Sequence, residues 1–185
     1  MKYAKIKKYD VANGPGVRVS IFVSGCHHHC KGCFNEEAWD FNFGNNFTSE
    51  TIDEIIEAMK PDYINGLSLL GGEPFELINQ QGLLPLIRKV KEIYPEKTIW
   101  AYSGFTYDEL NDMKHKETKE ILNLIDVLVD GKFDEDLKDP YLYFRGSSNQ
   151  RIIDIPKTLK EKKVVLHEKN TRREKWKKKN CKLKN

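Results

Sequence analysis

The sequence has no apolar run approaching the ~20 residues needed to cross a bilayer. Residues 1–10 (MKYAKIKKYD) lack the apolar core of a secretory signal. A cytoplasmic protein with no membrane partner is therefore expected. No repeat of 20–50 residues is visible, and no Gly/Ser linker or low-complexity block precedes the C-terminal tail. Cysteine is scarce, with four in 185 residues. Three of them, Cys26, Cys30 and Cys33, fall close together, and Cys181 stands apart. In a reducing compartment such a cluster points to a metal site rather than to a set of disulfides. The apolar set makes up 39% of the chain and charged residues 32%, which excludes collagen-like, disulfide-framework and wholly disordered classes. The length suits one α/β domain.

The net charge of +3 conceals an asymmetry. Residues 1–150 hold 17 Lys and Arg against 24 Asp and Glu, and residues 151–185 hold 14 against 4. The body is mildly acidic and the end is basic. The organisation expected is a domain over 1–167 and a basic tail over 168–185. The tail reads first as a solvated extension; contact with an acidic partner or nucleic acid is the alternative.

Strands and helices alternate along the body. Val17–Val23 (VRVSIFV) is rich in β-branched residues and runs straight toward the cysteines. Ile52, Ile55, Ile56 and Met59 keep helical spacing, with Thr48 and Ser49 as caps and Pro61 beyond the end. Residues 67–70 form a short apolar strand before Gly71-Gly72-Glu73-Pro74. Leu83, Leu86, Ile87 and Val90 mark a second helix, and Thr98–Tyr102 a third strand ending at Ser103-Gly104. A helical stretch is expected over 107–124. A fourth strand over 126–129 leads to Asp130-Gly131-Lys132, and 151–155 and 164–167 read as short strands. The alternation predicts a mostly parallel sheet, in which ligands bind at the carboxyl ends of the strands. The cysteines, Gly-Gly-Glu, Ser-Gly and Asp-Gly-Lys all follow strands, so one composite site is expected at that edge.

Cys26-x3-Cys30-x2-Cys33 offers three thiolates from one loop. Structural zinc takes four ligands, and here would need a histidine from 27–29 or the distant Cys181. A four-iron cluster takes one thiolate per iron, so three leave one iron open. That count explains the missing fourth cysteine, while the histidines keep zinc as an alternative.

The three-cysteine loop after one strand, with Gly-Gly-Glu after the next, resembles the radical S-adenosylmethionine (SAM) superfamily. Asn13-Gly14-Pro15-Gly16-Val17-Arg18, Val23-Ser24-Gly25-Cys26, Gly32-Cys33-Phe34-Asn35, Val127-Leu128-Val129-Asp130-Gly131-Lys132-Phe133 and Arg145-Gly146-Ser147-Ser148-Asn149-Gln150 narrow the match. Together they resemble the anaerobic ribonucleoside-triphosphate reductase activating proteins, over about residues 1–167. The cysteine spacing alone marks only the superfamily; the ordered set is specific.

The resemblance implies an incomplete (β/α) barrel with a [4Fe-4S] cluster on Cys26, Cys30 and Cys33 and SAM at its open iron. It implies reductive SAM cleavage and a glycyl radical made on the partner reductase, with an electron donor such as flavodoxin or ferredoxin. No acid–base triad is needed, since the cofactors carry the chemistry. Gly71 and Gly72 would let the backbone approach SAM, and Glu73 would add an acceptor for its ammonium. Gly32 stands where the superfamily usually has an aromatic residue before the third cysteine. Backbone contacts around Gly32, Cys33 and Phe34 are therefore expected near the adenine, with Phe34 as a core anchor the alternative. Ser103 with Gly104 would meet the ribose, and Asp130 and Lys132 would lie near SAM or the substrate backbone. Arg18 either steadies the cluster loop electrostatically or makes a surface salt bridge. The polar segment 145–150 would serve the active-site mouth or partner surface. The rivals are another small radical-SAM enzyme and a zinc-binding nucleic-acid module.

Overall fold

The computed structural model describes residues 1–171. Seven strands form one sheet, in the order β3-β1-β2-β4-β5-β6-β7. They are β1 (Lys2–Asp10), β2 (Val17–Val23), β3 (Asn45–Asn46), β4 (Ile64–Gly71), β5 (Thr98–Tyr102), β6 (Val127–Asp130) and β7 (Arg151–Asp154). The central strands β2, β4, β5 and β6 are parallel neighbours. Antiparallel pairing puts β1 and β7 against that direction. The α/β class is as expected, and the sheet is mixed but mostly parallel. It remains open, with β3 and β7 at its two edges.

Helices α1 (Ser49–Met59), α2 (Leu77–Ile93), α3 (Tyr107–Asp112), α4 (Lys116–Leu124) and α5 (Ile155–Glu161) complete the chain. Successive strand side chains point to opposite faces of a sheet. Val19, Ile21, Leu67, Leu69, Ile99, Ala101 and Leu128 share one core with Ile55, Met59, Leu83, Ile87 and Ile121 of the helices. The alternate residues Trp100, Val127, Val129 and Ile152 form a smaller cluster with Tyr102 and Phe144. Burial on both faces explains why the central strands are apolar almost throughout. The crossovers through the helices bring Val23, Gly71, Tyr102 and Asp130 to one edge.

Three expectations need correction, and the strand expected over 151–155 is present with its end one residue earlier. The stretch 107–124 is two helices, because Met113 and His115 adopt extended backbone between them. Residues 151–155 divide: β7 stops at Asp154, whose side chain caps α5 by accepting from Lys157 N, and Pro156 fits the first turn. Segment 164–167 makes a single bridge, Leu166 to Ile153, plus backbone bonds from Asp154 and to Ile152. Arg18 neither reaches the cysteine loop nor makes a surface ion pair. It is fully buried at the opposite end of β2 and donates to Ser68 Oγ, Thr98 Oγ1, Leu67 O and Thr98 O. Its guanidinium also lies over the Trp100 ring. Asn170 accepts from Ile152 N, so ordered contacts reach past residue 167; Cys181 and most of the basic tail lie outside the described residues.

Candidate functional site

The cysteine loop leaves β2 at Val23 and is woven into its surroundings by main-chain bonds. Gly25 N donates to Ala38 O at 2.8 Å, Cys26 N to Trp39 O, Gly72 N to Val23 O and Glu73 N to Gly25 O. Asn79 of α2, buried, donates through Nδ2 to Ser24 O at 3.0 Å and Glu73 O at 2.9 Å. The loop and the Gly-Gly-Glu segment are thereby held as one body.

Cys26, Cys30 and Cys33 are all free thiols. Burial pushes the Cys26 thiol up to about 11, while the backbone N–H groups of His28 and His29 act the other way. Burial also raises Cys30, opposed by the Phe133 N–H and the charge of Lys132. Asn35 N donates to Cys33 Sγ at 3.5 Å. N–H groups directed at sulfur favour thiolate ligands and tune iron–sulfur clusters. Among the described residues no three His, Cys, Asp or Glu side chains converge as ligands of one metal ion. Three thiolates that each bind a different iron need not converge so tightly. The donor set fits a cluster.

The three histidines turn to protein partners. His27 meets Glu76 through both its backbone N and its Nδ1, and its ring lies on Phe41. His28 Nε2 donates to Glu73 Oε2 at 2.9 Å, and His29 stacks on Trp39.

The remaining expected site residues fall around this loop. Glu73 is 1% exposed, and its carboxylate accepts from four donors: Phe75 N, Ser103 Oγ, Gly104 N and His28 Nε2. Ser103 and Gly104 thus wrap the carboxylate. The glycines serve the protein's own packing. A Cβ on Gly71, which has φ +115°, would stand 2.6 Å from Val23 N, and one on Gly72 would stand 2.6 Å from Gly25 O. Gly32 adopts φ +69°, and a Cβ there would meet the Glu135 side chain. Phe34 is 86% exposed, which rules out a core anchor.

Asp130 is buried and accepts from Arg151 Nε and Nη2 and from Tyr107 N. Lys132 is exposed near Cys30. Segment 145–150 braces that strand end rather than hanging free. Gln150 Nε2 donates to Gly131 O at 2.9 Å, Asn149 Nδ2 to Lys132 O at 2.8 Å, and Ser147 Oγ accepts from Asp134 N.

Sequence reasoning weighed His28 only as a zinc ligand, not as a partner of Glu73, and missed Glu76 and Asn79. Asn79 had a signal, since it continues the buried Leu83, Leu86 and Val90 register of α2 as a polar residue. The histidines had none, because their partners are remote in sequence.

Residues 12–153 match the family model described as a 4Fe-4S single cluster domain, which defines the class. The chain is 45% identical over 152 residues to the anaerobic ribonucleoside-triphosphate reductase-activating protein of Salmonella typhi, covering 81% of this chain and 96% of that one. The protein of that name from Vibrio cholerae serotype O1 is 45% identical over 154 residues, covering 82% and 97%. That of Enterobacteria phage T4 is 38% identical over 152 residues, covering 82% and 93%. The chain belongs to the family of anaerobic ribonucleoside-triphosphate reductase-activating proteins.

Proposed function

We propose that the chain activates an anaerobic ribonucleoside-triphosphate reductase by radical SAM chemistry, as a cytoplasmic enzyme fed by a flavodoxin- or ferredoxin-type donor. The observation that carries this reading is the loop of Cys26, Cys30 and Cys33, fixed at the carboxyl edge of the parallel strands with N–H groups directed at its sulfurs. A [4Fe-4S] cluster held by Cys26, Cys30 and Cys33 would supply one electron for reductive cleavage of SAM, the radical chemistry that would take a hydrogen atom from a glycine of the reductase.

The protein's part is holding and excluding. The three cysteines would each bind one iron and leave the fourth for SAM. Gly71 and Gly72 bring the main chain of the β4 end against the cysteine loop, so their carbonyls would accept from the SAM ammonium. Glu73, with its oxygens occupied inside the protein, would act on SAM by fixing that segment and by its charge. Gly32, Cys33 and Phe34 would meet the adenine, with Phe34 free to close over it. Ser103 would border the ribose. Asp130 would orient the β6 end through Arg151 and Tyr107, and Lys132 would face the substrate backbone.

Serine at position 26, 30 or 33 tests this directly. After anaerobic reconstitution, each variant should lose most of its iron and sulfide and all SAM cleavage. Full loading and cleavage by any one of them would refute the three-thiolate assignment.

A further inference from the structure

His28 lies between two of the cysteines, yet its side chain points into the protein. It is 8% exposed, and its Nε2 donates to Glu73 Oε2 at 2.9 Å. The ring packs edge-on against Phe105 at 4.4 Å between centroids. Gly104 supplies the space, because a Cβ there would stand 2.4 Å from His28 Cδ2. Glu73 is in turn held by Ser103 Oγ and Gly104 N from the end of β5 and by Phe75 N beside it. One buried side chain therefore joins the cysteine loop to the ends of β4 and β5.

We propose that His28 is a positioning residue that, through Glu73, sets where the cysteine loop stands relative to the Gly-Gly-Glu and Ser-Gly segments. The inference rests on the radical SAM reading above and assigns no metal ligation to His28. Removing the histidine donor leaves Glu73 Oε2 with the Gly104 N–H and takes away one buried hydrogen bond to a charged group. The loop then loses its link to the carboxylate between the ends of β4 and β5, while His27 on Glu76, Asn79 and the main-chain bonds still hold its beginning. The thiolates remain available, but their distance from the ligand edge is no longer fixed.

The test uses the full chain, anaerobically reconstituted, with His28→Leu and His28→Gln. Leucine keeps apolar bulk and removes the donor; glutamine places an amide N–H near the position of Nε2. Three quantities are read: iron and sulfide per chain, SAM dissociation constant, and the change that SAM causes in the electron paramagnetic resonance spectrum of the reduced cluster. For His28→Leu the expected result is SAM binding about fivefold or more weaker, as for loss of one buried hydrogen bond. Its spectral response to SAM should also be diminished. His28→Gln should return both readouts to within about twofold of the parent, on the same tenfold-per-1.4 kcal/mol scale. If His28→Leu fails to load iron and His28→Gln loads it, the proposal also stands. Parent-like SAM binding in His28→Leu, or equal impairment of both variants, overturns it. A parent protein that holds no four-iron cluster would instead refute the radical SAM reading, which separates the two failures.

Discussion

Gly72 and Arg18 show how far a side chain's role depends on what stands beside it in space. A methyl group on Gly72 would meet the carbonyls of Gly25 and Ala38 at 2.6 and 2.8 Å, the first belonging to the residue before Cys26 and the second accepting from Gly25 N. Gly72→Ala should therefore destabilise the fold by about 1–3 kcal/mol, the usual cost of overpacking. It should also lower iron content on reconstitution; unchanged melting and iron loading would contradict the packing role. Arg18 lies about 17 Å from the end of β2, at 3.3 Å per strand residue. Its hydrogen bonds tie β2 to β4 and β5. Arg18→Met should cost about 2–4 kcal/mol in urea denaturation through lost charge-assisted bonds. Iron per folded chain should stay at the parent level, which an electrostatic role at the cluster would not allow.

Elements were legible to different degrees, for physical reasons. Val17–Val23 and Thr98–Tyr102 coincide with the expected strands because strands buried on both faces must be apolar and β-branched. Lys2–Asp10 was not recognised as a strand, since its lysines suit an outer strand paired for most of its length only to β2. The cysteine spacing and Gly-Gly-Glu were visible as local strings. The His28–Glu73 link and the brace over 145–150 were not, because they join residues that only the folded sheet brings together. Gln150 closes that brace on Gly131 O, Gly146 N and Ser147 N. Gln150→Leu should speed hydrogen exchange at residues 131–133 and increase Cys30 alkylation in the cluster-free protein; parent-like exchange would mean the brace is redundant. The segment packed on β7 carries a pH dependence. Burial lowers the pKa of His167, whose neutral Nδ1 accepts from Lys169 N and whose ring meets Trp100. Between the ordinary value of 6.5 and the lower folded value, the unfolded chain binds more protons. The contribution is therefore present above that window and lost as pH falls through it. Melting temperature should drop more between about pH 7.5 and 5.5 for the parent than for His167→Phe; equal drops would exclude His167 as the cause.

At the scale of the whole molecule, the parallel centre of the sheet does the organising. It delivers the cysteine loop, Gly-Gly-Glu, Ser-Gly and Asp-Gly-Lys to one edge, where ligands bind in sheets of this kind. Among the described residues no helix is long and apolar enough to cross a membrane. Exposed Phe34 and Lys132 stand at that same edge, open to a ligand or an incoming protein chain. The most direct measurement combines the anaerobically reconstituted chain with SAM, a one-electron reductant and the anaerobic reductase, followed by electron paramagnetic resonance. The expected result is the doublet of a glycyl radical on the reductase, dependent on SAM and absent with the Cys30→Ser chain. SAM cleavage by a fully loaded chain with no radical on the reductase would contradict the assignment.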